Sequence, residues 1–181
     1  MTLLILGLAL WAGVHFWKRL APASRAGMGD KGKMIVALGA VLGIVLMVIG
    51  YKMADGAVYW GRTAAMTGIN NLLMLFAFYL YAASGAKTRI TRTIRHPQLT
   101  AVKVWALAHI LVNGDVPSFV LFGGLLAWAV GEVILINRAN RDLTPPPVVP
   151  VKKETTAVVA AVAVYAITAA IHIWLGYNPF G

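Results

Sequence analysis

The chain has 181 residues, of which 60% are hydrophobic and only 12% are charged. A soluble domain carries roughly 25% charged residues, so this composition excludes a soluble globule and predicts an all-α, polytopic integral membrane protein. The formal net charge of +10 does not indicate nucleic-acid binding, because the basic residues follow the predicted loops and do not form one basic surface. Because the sequence has no cysteine, disulfides and thiolate metal sites are excluded.

Six apolar segments are candidates for membrane crossings, each of which needs about 20 residues as a helix. In chain order, the predicted helices span residues 2–17, 34–51, 67–83, 97–112, 116–136 and 155–174. This arrangement leaves room for a single transmembrane domain over residues 1–181. Between the last two helices, four prolines from Leu143 to Val151 predict an extended linker. The run from Asn113 to Pro117 predicts a tight turn.

The lysines and arginines are distributed unequally between the two sides of this predicted bundle. Fourteen of them fall in the loops after helices 1, 3 and 5, and only Lys52 and Arg62 fall on the opposite side. Loops that remain in the cytoplasm carry the excess of basic residues. Both termini are therefore expected outside the cytoplasm, which is the parity that six crossings require.

Ionisable side chains inside the predicted helices are few, and such residues are costly in a membrane and usually functional. They include His15, His109 and Glu132, expected about 5–9 Å from the cytoplasmic boundary, and His172 at the opposite end, where a structural role is expected. Neutral imidazole is tolerated in this environment and ligates haem iron well. We therefore expect His15 and His109 to form an axial pair for a haem. The competing interpretation is that both histidines only make hydrogen bonds between helices.

Neighbouring residues strengthen the expectation of a haem site. Trp105 lies four residues before His109, and Trp11 lies four residues before His15, so each pair shares one helix face. Arg19 and Arg95 lie near the cytoplasmic mouth of the bundle, where they could pair with haem propionates.

The segment Arg95-His96-Pro97 is the sharpest local motif in the sequence. Proline is favoured at the first position of a helix, so the segment predicts a helix start with a basic flank. Arg95 and His96 could also form an anion- or cofactor-binding lip at the positive end of that helix.

The run RHPQLTAVKVWALAHILVNGDVPSFVLFGGLLAWAV, residues 95–130, resembles the NnrU family of bacterial membrane proteins. The run GVHFWKR, residues 13–19, also fits the family pattern, and the resemblance covers essentially the whole chain. It implies a multi-pass protein of the bacterial inner membrane. The family name reflects an association with nitrite and nitric oxide reductase expression, and hence with denitrification.

The same family is related to the plastid 15-cis-zeta-carotene isomerase, which uses haem b held by histidines. One of those histidines matches His109 here, and the other is placed at His15. The resemblance thus implies haem b and a haem-dependent cis-trans isomerase or a haem- and nitric oxide-linked factor, with a hydrophobic polyene or a small gas as ligand. The isomerase has a cysteine where this chain has Ala106, which places isomerase chemistry in doubt.

Two other functions remain open. The motif RHP also resembles the cofactor region of the isoprenylcysteine carboxyl methyltransferases, which implies an enzyme that uses S-adenosylmethionine, held by Arg95 and His96. That family has RHPxY, whereas this chain has Leu99 after RHPQ. The other possibility is a non-catalytic regulatory or assembly protein that supports denitrification enzymes. In each of these cases membrane lipid is an expected partner.

Overall fold

A computed structural model describes residues 1–142 and 144–181. Within these residues the chain forms seven α-helices, two short β-strands and one 3₁₀ turn. The elements, in chain order, are α1 (Thr2–Leu20), α2 (Pro22–Gly27), α3 (Gly29–Lys52), β1 (Val58–Trp60), α4 (Ala64–Ala86), the 3₁₀ turn (Arg89–Arg92), α5 (Pro97–Val112), β2 (Gly114–Asp115), α6 (Val116–Ala139) and α7 (Val151–Trp174).

In the described part of the chain, five helices are long and apolar enough to cross a membrane, namely α1, α3, α4, α6 and α7. The sixth predicted crossing, α5, is equally apolar in character but has only 16 residues. Their lipid-facing side chains are exposed and apolar; Leu38 on α3 and Leu72 on α4, for example, are 62% and 71% exposed. The chain is therefore an all-α multi-pass membrane protein, as the composition predicts.

Except for α5, the helices extend beyond the predicted boundaries, because apolar segments mark only the part of a helix that lipid surrounds. Helix α3 begins at Gly29 and α7 at Val151, each with a charged first turn before the apolar run. The short helix α2 was not predicted. In the predicted linker, residues 144–150 have no regular structure, Val151 already belongs to α7, and Leu143 lies outside the described residues.

The predicted turn before α6 is only partly right. Gly114–Asp115 forms strand β2, which pairs with β1 (Val58–Trp60), and the Val116 amide donates to the carbonyl of Ala57 at 3.0 Å. Turn-forming residues mark the end of a helix, but they do not reveal a partner strand more than fifty residues away.

The residues group into two compact units, which are described separately. The first unit, Met1–Tyr59 with Gly114–Ala139, contains α1, α3 and α6. Helices α1 and α3 pack closely because glycines face each other. A Cβ atom added at Gly7 would lie 2.7 Å from the Met47 nitrogen and 2.8 Å from the Gly43 oxygen. Gly39 and Gly43, four residues apart on α3, both face α1 and allow this close approach.

The second unit, Trp60–Asn113 with Asn140–Gly181, contains α4, α5 and α7. Helix α4 begins at a Thr63 cap, whose hydroxyl accepts from the Met66 amide at 3.2 Å. Ala77, Leu80 and Ala101 form a buried cluster between α4 and α5. The C-terminal tail, residues 175–181, follows α7 and returns to the start of α4.

Candidate functional site

In the first unit, the predicted ligand His15 packs in a cluster with two tryptophan rings. The His15 ring centroid is 4.2 Å from that of Trp11 on the same helix and 5.1 Å from that of Trp128 on α6. Nδ1 of His15 lies 2.7 Å from the carbonyl oxygen of Trp11. A carbonyl only accepts, so Nδ1 carries the proton. The lone pair of the neutral ring is therefore on Nε2, the nitrogen that a metal ion would bind.

The two tryptophans around His15 each have an unusual indole group. In the described part of the chain, the Nε1 atoms of Trp11 and Trp128 are buried and have no hydrogen-bond partner. An unpaired buried donor costs roughly 1–3 kcal/mol. Native proteins leave few such groups, and they are concentrated where function or a bound molecule explains them.

About one turn further along α1 and α6 from this aromatic cluster, an ion pair joins the two helices. Nε of Arg19 donates to Oε2 of Glu132 at 2.9 Å, and the two side chains are 32% and 6% exposed. Arg19 lies four residues after His15, and Glu132 four residues after Trp128, so the ion pair continues the same pair of helix faces. Glu132 therefore finds its partner in a cation and not in a histidine, which the sequence analysis did not anticipate.

In the second unit, the predicted ligand His109 has a local geometry similar to that of His15. Its Nδ1 lies 2.9 Å from the carbonyl oxygen of Trp105, and the two ring centroids are 5.0 Å apart. The proton is again on Nδ1 and the lone pair on Nε2. The expectation that each tryptophan shares a face with the histidine four residues later is thus confirmed for both helices.

His109 lines a cavity of about 220 Å³ in the second unit. The cavity also contains His172, whose Nδ1 lies 2.8 Å from the Thr168 carbonyl oxygen. Three asparagines and Arg62 add polar groups, namely Asn70, Asn71 and Asn113 with the guanidinium. The cavity therefore combines two imidazoles, three side-chain amides and one guanidinium within an otherwise apolar helix bundle.

Of the remaining predicted site residues, Trp105 lines this cavity. Arg95 and His96 do not, since they precede the first residue of α5, about 20 Å along the helix from His109. The Arg95 Nη2 donates to the carbonyl oxygen of Asn140 at 2.6 Å, which ties the segment after α6 to the start of α5. Arg19 belongs to the first unit, where it pairs with Glu132.

A comparison with protein families decides the family of the chain. The model of the NnrU protein family matches residues 3–179. This chain belongs to the NnrU family. The match covers both units, including the tryptophan-flanked histidines on α1 and α5. No curated protein and no solved structure matches the chain.

Sequence reasoning missed the polar wall of the cavity in this NnrU family protein. Sequence analysis gave His172 a structural role and gave Asn70 and Asn71 no role in the site, yet all three line the cavity. Asn113 caps the end of α5, since its Nδ2 donates to the His109 carbonyl oxygen at 2.8 Å. The available signal was an Asn-Asn pair one turn inside an apolar helix, where amides are costly unless they have a partner.

Proposed function

We propose that this NnrU family protein binds haem b in the bacterial cytoplasmic membrane, with His15 and His109 as the histidine ligands. The observation that carries the proposal is the shared geometry of the two rings. Each donates Nδ1–H to the carbonyl of the tryptophan four residues earlier, which fixes the tautomer with its lone pair on Nε2. Metal-ligating histidines commonly have such a second hydrogen bond on the other nitrogen.

The residues present fit a haem better than a bare metal ion. Among the described residues, no three His, Cys, Asp or Glu side chains gather as a metal-ion site, whereas a haem would need only one or two ligands from the protein. Trp11 and Trp128 beside His15, and Trp105 beside His109, each offer an apolar surface for a flat macrocycle within their own unit.

The size of the cavity limits how a haem could lie. At about 220 Å³ it is smaller than the roughly 300–1,000 Å³ of pockets that enclose ligands of moderate size. A haem held by His109 would therefore lie mainly outside this cavity. The paired coordination by His15 and His109 stays a prediction, which the spectrum of the purified protein tests.

The polar residues near His15 would hold and orient the group. The bond to Glu132 uses one of the five N–H donors of Arg19, so the guanidinium could bind a propionate without giving up the ion pair. Glu132 in turn keeps Arg19, and with it the end of α1, in a fixed position relative to α6. When bound, haem would supply a one-electron redox centre and a binding site for a small gas or polyene.

Two roles follow from this proposal, namely a redox-linked isomerase that resembles zeta-carotene isomerase and a haem- or nitric oxide-linked factor in denitrification. The isomerase role is weakened by Ala106, which offers no sulfur ligand three residues before His109.

The experiment is to measure the haem content of the detergent-purified protein and of three histidine variants. His15→Ala and His109→Ala are expected to lose or strongly weaken the Soret band. His172→Ala is the matched control, because His172 has the same kind of Nδ1 bond to a carbonyl but is not a proposed ligand. Equal haem content in all four proteins would refute the assignment of the ligands. If none binds haem and the wild type binds S-adenosylmethionine in a manner that depends on Arg95, the methyltransferase alternative replaces the proposal.

A further inference from the structure

The cavity beside His109 continues into an apolar groove of the same unit. The groove has a volume of about 280 Å³ and is lined by aromatic and aliphatic side chains of α4, α5 and α7. Met74, Phe78 and Trp105 line both spaces. The cavity lies near the start of α4 and the ends of α5 and α7, whereas the groove follows α4 toward Tyr81, about 10 Å further along the helix.

The polar cavity presents a fixed hydrogen-bond acceptor. The Asn71 Nδ2 donates to the carbonyl oxygen of Pro179 at 3.1 Å, so the Asn71 Oδ1 is an acceptor. The Asn70 Nδ2 donates to the Asn71 Oδ1 at 3.1 Å. The Asn70 Oδ1 is therefore the free acceptor end of its amide. The Asn70 Oδ1 is buried without a hydrogen-bond partner in the described part of the chain, and the residue is 8% exposed.

A second acceptor in the cavity is fixed in the same way. His172 donates Nδ1–H to the carbonyl of Thr168, so the lone pair of its neutral ring is on Nε2. A ligand that donates a hydrogen bond would satisfy the Asn70 Oδ1 or the His172 Nε2. Both atoms would repel the oxygens of a carboxylate, which only accept hydrogen bonds. Arg62 also lines the cavity, and its Nη1 donates to the Asn178 carbonyl oxygen at 2.7 Å. Its remaining N–H donors could attract a carboxylate, so competition by palmitate decides between a hydroxyl and a carboxylate head group.

We propose that the cavity and the groove together bind a single-chain amphiphile whose head group is a neutral hydroxyl, such as a long-chain alcohol, phenol or quinol. The head group donates to the Asn70 Oδ1 or the His172 Nε2, and the hydrocarbon chain lies along Met74, Phe78 and Tyr81. The C-terminal tail covers the head, because Tyr177 and Pro179 line the cavity and the backbone of the tail is held by Arg62 and Asn71.

A plain lipid chain in the cavity would leave the buried Asn70 Oδ1 without a hydrogen bond. An unpaired buried carbonyl costs roughly 1–3 kcal/mol, and an alkane in the cavity would keep it unpaired. A hydroxyl restores the bond, while the groove accepts the chain as readily as the bilayer does. The hydroxyl therefore provides selectivity. Because the site shares His109 and Trp105 with the proposed haem site, haem content is measured separately on the same samples.

The test uses the full-length protein in nanodiscs and a hexadecanol that carries a diazirine at mid-chain. Saturable photolabelling of the α4 segment between Met74 and Tyr81 is expected, with competition by unlabelled hexadecanol and not by hexadecane or palmitate. Asn70→Leu removes the acceptor at similar volume and should weaken binding about five- to tenfold. Leu72→Ala, on the lipid-facing side of the same helix with 71% exposure, should leave binding unchanged.

A second variant keeps the proposal testable if Asn70→Leu fails to fold. Val164 lines the groove but is 47% exposed, so Val164→Trp should fold and fill the groove, and labelling should be lost. Equal competition by hexadecane or palmitate would overturn the hydroxyl head group. Equal competition by a diacylglycerol would overturn the single-chain occupant. Unchanged affinity in both Asn70→Leu and Val164→Trp would overturn the site itself. Haem content is determined on the same samples, so that failure of the haem proposal is recognised separately.

Discussion

Replacing Arg19 and replacing Glu132 should lower the free energy of unfolding by different amounts, although the two side chains form one ion pair. The Glu132 side chain is 6% exposed, whereas that of Arg19 is 32% exposed. Arg19→Gln leaves a carboxylate with no cation and little water, and breaking a buried pair in this way costs about 3–5 kcal/mol. Glu132→Gln leaves a guanidinium that can extend to water or lipid head groups, as long basic side chains do. Its cost should be about 1–2 kcal/mol, mainly the lost charge-assisted hydrogen bond.

The assay is the free energy of unfolding in mixed micelles for the wild type, each single variant and a double variant. Replacing both residues, as Arg19→Met with Glu132→Leu, removes both charges and should restore most of the stability lost in Arg19→Gln. A coupling free energy of about 1 kcal/mol or more is expected from the double-mutant cycle with Arg19→Met and Glu132→Leu.

Two results would refute this reasoning. If Glu132→Gln is more destabilising than Arg19→Gln, the buried partner is not the one that depends on the pair. If the double variant loses the sum of the two single effects, the two side chains do not interact, and the contact between α1 and α6 does not depend on charge.

Three further predictions use the same unfolding assay or simple proteolysis. Gly7→Ala should cost about 1–3 kcal/mol because its methyl group meets the α3 backbone, whereas Gly13→Ala, with open space, should cost nothing; equal effects would contradict the close helix contact. Tyr51→Phe should cost about 1 kcal/mol by removing a 2.8 Å bond to Ser118, and an unchanged stability would count against that bond. Arg62→Ala should release the C-terminal tail and speed its digestion by carboxypeptidase; an unchanged rate would show that the tail is held elsewhere.

Local signals in the sequence predicted both ends of one helix, α5. Helix α5 begins at Pro97 and ends at Val112, as predicted, because a proline marks its first position and a polar turn follows it. The tryptophan-histidine faces of α1 and α5 were also predictable, because the spacing of four residues fixes the geometry within one helix.

Contacts between distant segments were not predictable in this way. Arg19 and Glu132 are 113 residues apart, and the sequence does not show that α1 packs on α6 and brings these two side chains together. The wall of the cavity likewise combines Asn70, His109 and His172 from three helices. Each of these residues has an ordinary structural explanation when its own helix is considered alone, and only the packing of α4, α5 and α7 brings them together.

The most direct test of the central claim is the absorption spectrum of the purified wild-type protein, oxidised and dithionite-reduced, with a pyridine haemochrome assay for stoichiometry. If His15 and His109 hold haem b, we expect a Soret band, sharp reduced α and β bands typical of two histidine ligands, and about one haem b per chain. A colourless protein that also fails to take up added haemin would contradict it.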